Sequence, residues 1–199
     1  MKRLLLLVTF TMFFFAQGSR QTDSLALVAL YNATDGANWS GTPWNLSQPI
    51  TVWQGVIVDA NRVSNVNLSG RNLNGQIPAE IGNLTSMTNL NFSGNLSLTG
   101  SIPAEIGNLI NLRFFYASGS SISGFIPSEI GNMSSLVALR LDNTDLTGPI
   151  PQEIGQLSFL AHLYLNGTEI YGSIPASIGN LVNLTELDLS YTSLNSALP

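Results

Sequence analysis

Few residues in this chain could carry out acid–base or nucleophilic chemistry. There is one histidine, His162, and no cysteine, so thiol catalysis, zinc–thiolate sites and haem attachment through thiols are excluded. The best available arrangement pairs His162 with Asp142 or Glu186, or with Ser190 in a nucleophilic relay. Such a relay would lack a nucleophile elbow and an oxyanion hole, and no long insertion could form a recess that excludes water. Catalysis is therefore the least favoured function that the sequence allows.

The elements that would position these residues follow from a repeated phrase of eight residues. It reads IPAEIGNL twice, then IPSEIGNM, IPQEIGQL and IPASIGNL, and successive copies begin 25, 24, 24 and 24 residues apart. A fixed period of this length is typical of stacked repeat arrays, in which each unit contacts only its neighbours. The copies occupy Ile77–Leu84, Ile102–Leu109, Ile126–Met133, Ile150–Leu157 and Ile174–Leu181.

Each repeat combines a short strand with a turn and a helical segment. In the fourth copy Leu139 and Leu141 alternate with Arg140, which predicts a strand with two apolar side chains inward and one polar side chain outward. Pro151 cannot donate a backbone hydrogen bond and favours an extended residue before it. Strands of successive repeats would then stack in parallel, about 4.8 Å apart.

This pattern, with its L-x-G-x-I-P element, resembles the plant-type class of leucine-rich repeat proteins over about residues 63–199. That class includes plant receptor kinase ectodomains and polygalacturonase-inhibiting proteins, and similar secreted repeat proteins occur in bacteria and algae. The resemblance implies an α/β solenoid, a right-handed superhelix with a parallel β-sheet on its concave face. Short 3-10 or helical turns and loops would form the convex face, with a helical cap at the N-terminus and no cofactor or metal.

The sequence departs from that family at two features. The family's cap usually carries two cysteines, and Thr51 and Val58 stand in their places. The family also places an asparagine at the turn after each strand, where its amide bonds neighbouring backbones. Because a hydroxyl has one donor where an amide has two, we expect a looser stack here. The matching positions are Arg71, Asn95, Ser120, Thr144, Thr168 and Thr192.

Three segments are predicted. Residues 1–18, with a basic start and a 13-residue apolar run, read as a secretory signal cleaved after Gly18, and the alternative is an uncleaved anchor. Residues 19–62 form an N-terminal cap, and residues 63–199 hold about six repeats without a C-terminal cap. Leu198-Pro199 begins one more copy, which indicates a fragment of a longer array or, alternatively, end-to-end association.

The cap should shield the open end of the repeat core. Thr22 or Asp23 is predicted to begin a helix with Leu25, Val28 and Ala29 on one face. Large aromatic side chains would complete the shield, since all three tryptophans lie in this segment. They are Trp39, Trp44 and Trp53.

The outward strand positions are free to vary, because apolar residues fill the inward ones. The first two repeats offer asparagine and serine there, whereas later repeats bring aromatic and charged residues. Exposed aromatics and arginine are enriched at binding hot spots, and a cluster of them indicates a partner. The predicted ligand-binding residues are Phe114, Tyr116, Arg140, Asp142, His162, Tyr164, Glu186, Asp188 and Tyr191.

Composition narrows the choice of partner. The formal net charge of −5 argues against nucleic acid, whose phosphates require a basic surface. No second long apolar run follows the signal, so no membrane insertion of the mature chain is expected. The favoured function is a secreted or cell-surface module that binds an extracellular protein, peptide or glycan. The alternative is a structural or adhesive surface protein that coats polysaccharide or ice through rows of Asn, Ser and Thr.

Overall fold

The computed structural model describes residues 18–195, and this part of the chain forms one α-helix, thirteen short strands and seven 3-10 helices. Seven of these strands stack in sequence order along one sheet, so the predicted α/β solenoid is confirmed. Residues 1–17 and Leu198-Pro199 lie outside the described residues, so the signal and the end-to-end association stay predictions. Between residues 18 and 195, no helix is both long enough and apolar enough to cross a bilayer.

The N-terminal helix α1 (Gly18–Ala33) corrects the predicted helix start and the predicted buried face. It begins ahead of Thr22 and Asp23, so neither residue caps it. Leu25 is 62% exposed, and Val28 and Ala29 are only half-buried. The fully buried residues of this helix are Asp23, Ala26, Leu27 and Leu30.

A buried carboxylate explains this rotation of the helix. Asp23 accepts hydrogen bonds from Arg62 Nε and Nη2, both at 3.0 Å, in a bidentate pair. It also accepts one from the backbone N–H of Val63 at 2.7 Å. A fully buried carboxylate needs such partners, and they lie at the start of the first repeat strand. The side of α1 that carries Asp23 must therefore face the array, which turns Leu25 to solvent.

The predicted role of the tryptophans as core filling is confirmed. Trp39, Trp44 and Trp53 are nearly fully buried. Trp44 stacks on Trp53 with ring centroids 4.8 Å apart, and Trp39 meets Trp44 edge-on at the same distance. Each indole N–H donates to a backbone carbonyl, which satisfies the polar atom of a buried ring.

The main sheet has seven strands in the order β1-β2-β4-β6-β8-β10-β12. β1 and β2 form an antiparallel hairpin through Ala60 and Asn61, both at positive φ, as a two-residue hairpin turn requires. The later strands pair in parallel, one from each repeat. The strands of this sheet are β1 (Val56–Asp59), β2 (Arg62–Asn67), β4 (Asn89–Asn91), β6 (Phe114–Tyr116), β8 (Ala138–Arg140), β10 (His162–Tyr164) and β12 (Glu186–Asp188).

The register of this sheet aligns the apolar side chains in columns. Phe115, Leu139, Leu163 and Leu187 are direct partners on successive strands, as the repeat spacing predicts. The first three are fully buried, and Leu187 in the last described repeat is partly buried. Because an extended strand alternates its side chains, the residues on either side of each column point outward.

The opposite side of the solenoid carries shorter elements. A four-stranded parallel sheet runs β13-β11-β9-β7, and β3 pairs with β5. Five repeats each form a five-residue 3-10 helix directly after a proline in extended conformation. The strands are β3 (Gly75–Gln76), β5 (Leu98–Thr99), β7 (Ser123–Gly124), β9 (Asp145–Gly148), β11 (Glu169–Gly172) and β13 (Ser193–Leu194). The repeat helices are Ala79–Asn83, Ala104–Asn108, Ser128–Asn132, Gln152–Gln156 and Ala176–Asn180.

Asn95 differs from its counterparts in the other repeats because it joins two repeats. Its Nδ2 donates to the carbonyls of Phe92 at 2.6 Å and Leu68 at 2.9 Å. Its Oδ1 accepts from the backbone N–H of Leu73 at 3.0 Å. Leu68 and Leu73 belong to the preceding repeat, so this fully buried amide links neighbouring turns.

The hydroxyls at the matching positions bond within their own repeat. Each donates to the carbonyl three residues earlier, at 2.7–2.8 Å. A single donor used this way leaves none for the next repeat. Because these hydroxyls do not bond to the next repeat, we still expect the repeats to stack less tightly than in the family. These residues are Ser120, Thr144, Thr168 and Thr192.

Replacement of Asn95 by threonine tests this difference. The variant N95T would lose the bonds to Leu68 and Leu73, so we expect the free energy of unfolding to fall by about 1–3 kcal/mol. The control T144S keeps its hydroxyl and should cost under about 1 kcal/mol, roughly one methyl group. Urea denaturation measures both. Equal losses in the two variants would contradict a bridging role for Asn95.

Candidate binding face

Rows of outward side chains cross the concave face, which is the solvent-facing side of the seven-stranded sheet. Two of these rows come from the strands. Strand pairing defines the first two rows. The first row is Asn65, Asn89, Phe114, Ala138, His162 and Glu186, and the second row is Asn67, Asn91, Tyr116, Arg140, Tyr164 and Asp188.

The centre of the second row is an arginine between two tyrosines. The Arg140 guanidinium carbon lies 4.3 Å from the Tyr164 ring centroid and 5.8 Å from that of Tyr116. Both distances fall within the range of a cation–π contact. Both rings are half-buried and Arg140 is exposed. The parallel register thus brings together three predicted binding residues in one cluster.

Phe114 extends this cluster along the first row. Its ring centroid lies 6.2 Å from that of Tyr116, and the Arg113 guanidinium carbon lies 5.5 Å from the Phe114 ring. Sequence reasoning missed Arg113, which precedes strand β6 and is exposed. Arg113 lies one residue ahead of the first outward position, where a long side chain can fold back onto the row, but the repeat pattern does not require it to do so.

His162 and Glu186 are neighbours in the first row, as predicted. His162 Nδ1 lies 3.5 Å from Glu186 Oε2, which is an ion pair only when the imidazole is protonated and is too long for a good hydrogen bond. The side chains are 38% and 56% exposed. On the other side of His162, the first row continues with the short side chain of Ala138.

The other acidic residues of the face are held by local hydrogen bonds. Asp142 accepts from Ser118 Oγ at 2.6 Å and from Asn143 Nδ2 at 2.9 Å. Asp188 accepts from the hydroxyl of Ser190 at 2.7 Å and from its backbone N–H at 3.0 Å. These bonds stabilise the charged form, the Ser190 hydroxyl foremost, and hold the pKa of Asp188 below its ordinary value of 3.8.

Tyr191 lies apart from the other predicted residues. It follows strand β12 in a turn, with a left-handed backbone at φ 54°, and is 89% exposed. Of the catalytic alternatives, His162 and Glu186 are neighbours, whereas Ser190 donates to Asp188 and Asp142 is hydrogen-bonded to Ser118 and Asn143. Among residues 18–195, no group of three or more acidic or histidine side chains is placed to hold a metal ion.

A recess of about 690 Å³ lies away from these rows, between the Ile-Pro segments of two neighbouring repeats. Glu153 is the one titratable side chain in its lining. General acid–base chemistry needs a second group in reach of the same proton, so this recess offers no acid–base pair. The concave face therefore holds the cluster of aromatic and charged residues that a ligand could contact.

Comparisons with known proteins agree with this architecture. The family model described as Leucine Rich Repeat matches residues 111–133. A probable leucine-rich repeat receptor-like protein kinase of Arabidopsis thaliana is 36% identical over 97 residues, which cover 48% of this chain. The chain spans about a tenth of that relative, since the match covers 10% of its length.

Two solved structures are similar over most of the chain. The ectodomain of the Arabidopsis receptor kinase HAESA, in complex with an IDA peptide hormone ligand that is lengthened at its N-terminus, is 29% identical with a TM-score of 0.75. That match covers 90% of this chain and 30% of the ectodomain. A plant ice-binding protein is also 29% identical, with a TM-score of 0.79, over 87% of this chain and 57% of its own.

The hydrogen bonds at Asp188 predict a measurable titration. In S190A the hydroxyl donor is lost and the backbone donor remains, so the pKa of Asp188 should rise toward 3.8 without exceeding it. A depressed carboxyl pKa stabilises the fold above its unfolded-state pKa, and that contribution is lost as pH falls through the folded-state pKa. Carboxyl NMR of Asp188 measures the shift. The control S93A, at the equivalent turn beside neutral Asn91, should leave the pKa of Asp188 unchanged. If the pKa of Asp188 did not rise in S190A, the Ser190 hydroxyl would not be the main cause of its lowering.

Proposed function

The chain belongs to the leucine-rich repeat family, and on that premise we propose that it is an extracellular or cell-surface binding module. Its ligand is an extended peptide segment of a partner, which lies across the strands of the concave face. The cluster of Phe114, Tyr116, Arg140 and Tyr164 on adjacent strands carries this proposal.

The chemistry of the cluster favours binding. Half-buried tyrosine rings are already held in place, so a ligand that stacks on them loses little additional side-chain entropy. Arg140 adds a charged group that lies over the Tyr164 ring, 4.3 Å from its centroid. Aromatic and arginine anchors near the centre of a face supply most of the binding energy in known interfaces. We expect Tyr116 and Tyr164 to act as such anchors.

The extracellular location rests on two supports. The similar proteins include a receptor kinase ectodomain with a bound peptide hormone. The first residues of the chain read as a secretory signal. Because the chain spans only part of these relatives, their signalling activity is not carried over to it. A binding role needs only the concave face that residues 18–195 contain.

A second candidate function is binding to an extended surface, such as ice or polysaccharide. The similarity to a plant ice-binding protein favours it. Its site would be the polar half of the concave face, where neutral amides repeat at the strand spacing of about 4.8 Å. This half is formed by Asn65, Asn67, Asn89 and Asn91.

Removal of the two tyrosine rings tests the proposed function. The protein is first incubated with an array of short synthetic peptides of random sequence. For the peptides it captures, the double variant Y116A/Y164A should bind at least about 30-fold more weakly, the loss of one hot spot of about 2 kcal/mol. Thermal stability should change little, because both rings face outward.

Tyr171 offers a matched control for this test. It is 49% exposed on strand β11, in the sheet on the opposite side of the solenoid. The variant Y171A should bind the captured peptides as the unaltered protein does. Failure of the unaltered protein to capture any peptide, or equal binding by Y116A/Y164A, would refute the proposal.

Thermal hysteresis of ice growth separates the two candidate functions. A peptide-binding module should show none at concentrations where the fold is intact. A surface-binding protein should show hysteresis that persists in Y116A/Y164A, because its polar rows are untouched. Hysteresis together with absent peptide capture would favour the second candidate.

A further inference from the structure

The charges along the second row change sign across two strands. The row begins with the neutral residues Asn67 and Asn91. Its one cation, Arg140, lies between Tyr116 and Tyr164, and its last residue is the anionic Asp188. In the first row Glu186 lies beside Asp188 on the same strand. The second row therefore has a basic centre at Arg140 and an acidic end at Asp188. Asp142 also lies on this face, but its two oxygens accept hydrogen bonds from Ser118 and Asn143.

We propose that the face selects peptides that carry a carboxylate and, about 10 Å away, a basic side chain. The carboxylate binds Arg140, and the basic side chain binds Glu186 and Asp188. This inference rests on the proposed function and adds to it the charge pattern of the ligand. Complementary charges of this kind fix the register of a bound peptide and exclude peptides whose charges are placed differently.

Arg140 is available for a ligand carboxylate. Among the described residues, no acidic side chain lies within ion-pair distance of Arg140. The charged pairs within that distance are Arg62 with Asp23, and His162 with Glu186 when the imidazole is protonated. Its contacts are with the faces of two tyrosine rings. Ring contacts engage the guanidinium plane, whereas the N–H donors lie at its edge. Those donors match the two oxygens of a carboxylate.

The acidic end is similarly prepared for a cation. Asp188 uses one oxygen, Oδ1, for both bonds from Ser190, which leaves Oδ2 free of these bonds. Glu186 is more than half exposed and makes one long contact with His162. Two carboxylates at outward positions of one strand give an ammonium or guanidinium group more than one acceptor.

The strand spacing sets the distance between the two ligand charges. Arg140 and Asp188 lie two strands apart in direct register through Tyr164. At about 4.8 Å per strand the separation is about 10 Å. A peptide in the polyproline II conformation advances about 3.1 Å per residue and completes one turn in three residues. Two charged side chains three residues apart therefore lie on the same side of such a peptide, about 9 Å from each other. The tyrosine between them can contact an intervening residue.

Charge statistics from the peptide array test this inference. The array contains each peptide with a free and with an amidated C-terminus, so a side-chain carboxylate can be distinguished from a terminal one. Peptides captured by the unaltered protein should be enriched in an acidic and a basic group about three residues apart. The variant R140Q should lose the acidic preference and keep the basic one. The double variant E186Q/D188N should do the reverse.

Controls of equal charge change lie on the 3-10 helices of the opposite side. N132D lowers the net charge by one unit, as R140Q does, and E105Q/E129Q matches E186Q/D188N; all three control positions are exposed. Neither control should alter the selected sequences. The proposed charge pattern would be overturned if the captured peptides showed no charge preference, or if their preference were unchanged in both R140Q and E186Q/D188N. Either result would leave the proposed peptide-binding function in place. Failure to capture any peptide would refute both.

Discussion

Neighbouring repeats must approach each other closely on both sides of the solenoid. On the concave side the parallel sheet sets a spacing of about 4.8 Å. On the opposite side the limit is steric, since a Cβ added to Gly82 or Gly107 would lie 2.4 Å from the carbonyl oxygen of Glu105 or Glu129 in the next repeat. Contact between repeats therefore requires glycine in the first four copies of the phrase, whereas a Cβ at Gly179 in the fifth copy would meet nothing within 4 Å. Repeats of equal length satisfy both limits at once.

This stacking separates the residues that hold the fold from those that contact a ligand. The inward columns are filled by Phe115, Leu139 and Leu163, and their burial in register stabilises the array. The outward rows contribute little to the core, so the third to sixth repeats can carry aromatic and charged side chains there. Because backbone hydrogen bonds fix each strand against its neighbour, Tyr116, Arg140 and Tyr164 meet without a loop to position them.

The period and the alternation within each strand predicted the register, the inward column and the neighbours of Arg140 correctly, because these depend on counting residues. Features that depend on one long-range contact were not predictable in this way. Leu25 was expected in the core, but the buried pair of Asp23 and Arg62, 39 residues apart, turns it outward. Arg113 was missed because its contact with Phe114 depends on a side-chain conformation that no pattern encodes. The ring distances around Arg140 likewise required coordinates.

A comprehensive substitution scan scored by folding stability, with surface display and limited proteolysis, tests the separation of fold and binding residues most directly. The account predicts that intolerant positions recur at the repeat period, at Leu139 and Leu163 and at the closely packed glycines of the phrase, which are Gly82, Gly107, Gly131 and Gly155. It predicts that Tyr116, Arg140 and Tyr164 accept most substitutions. If these three positions were as intolerant as Leu139, the concave cluster would be part of the folding core and the account would be contradicted.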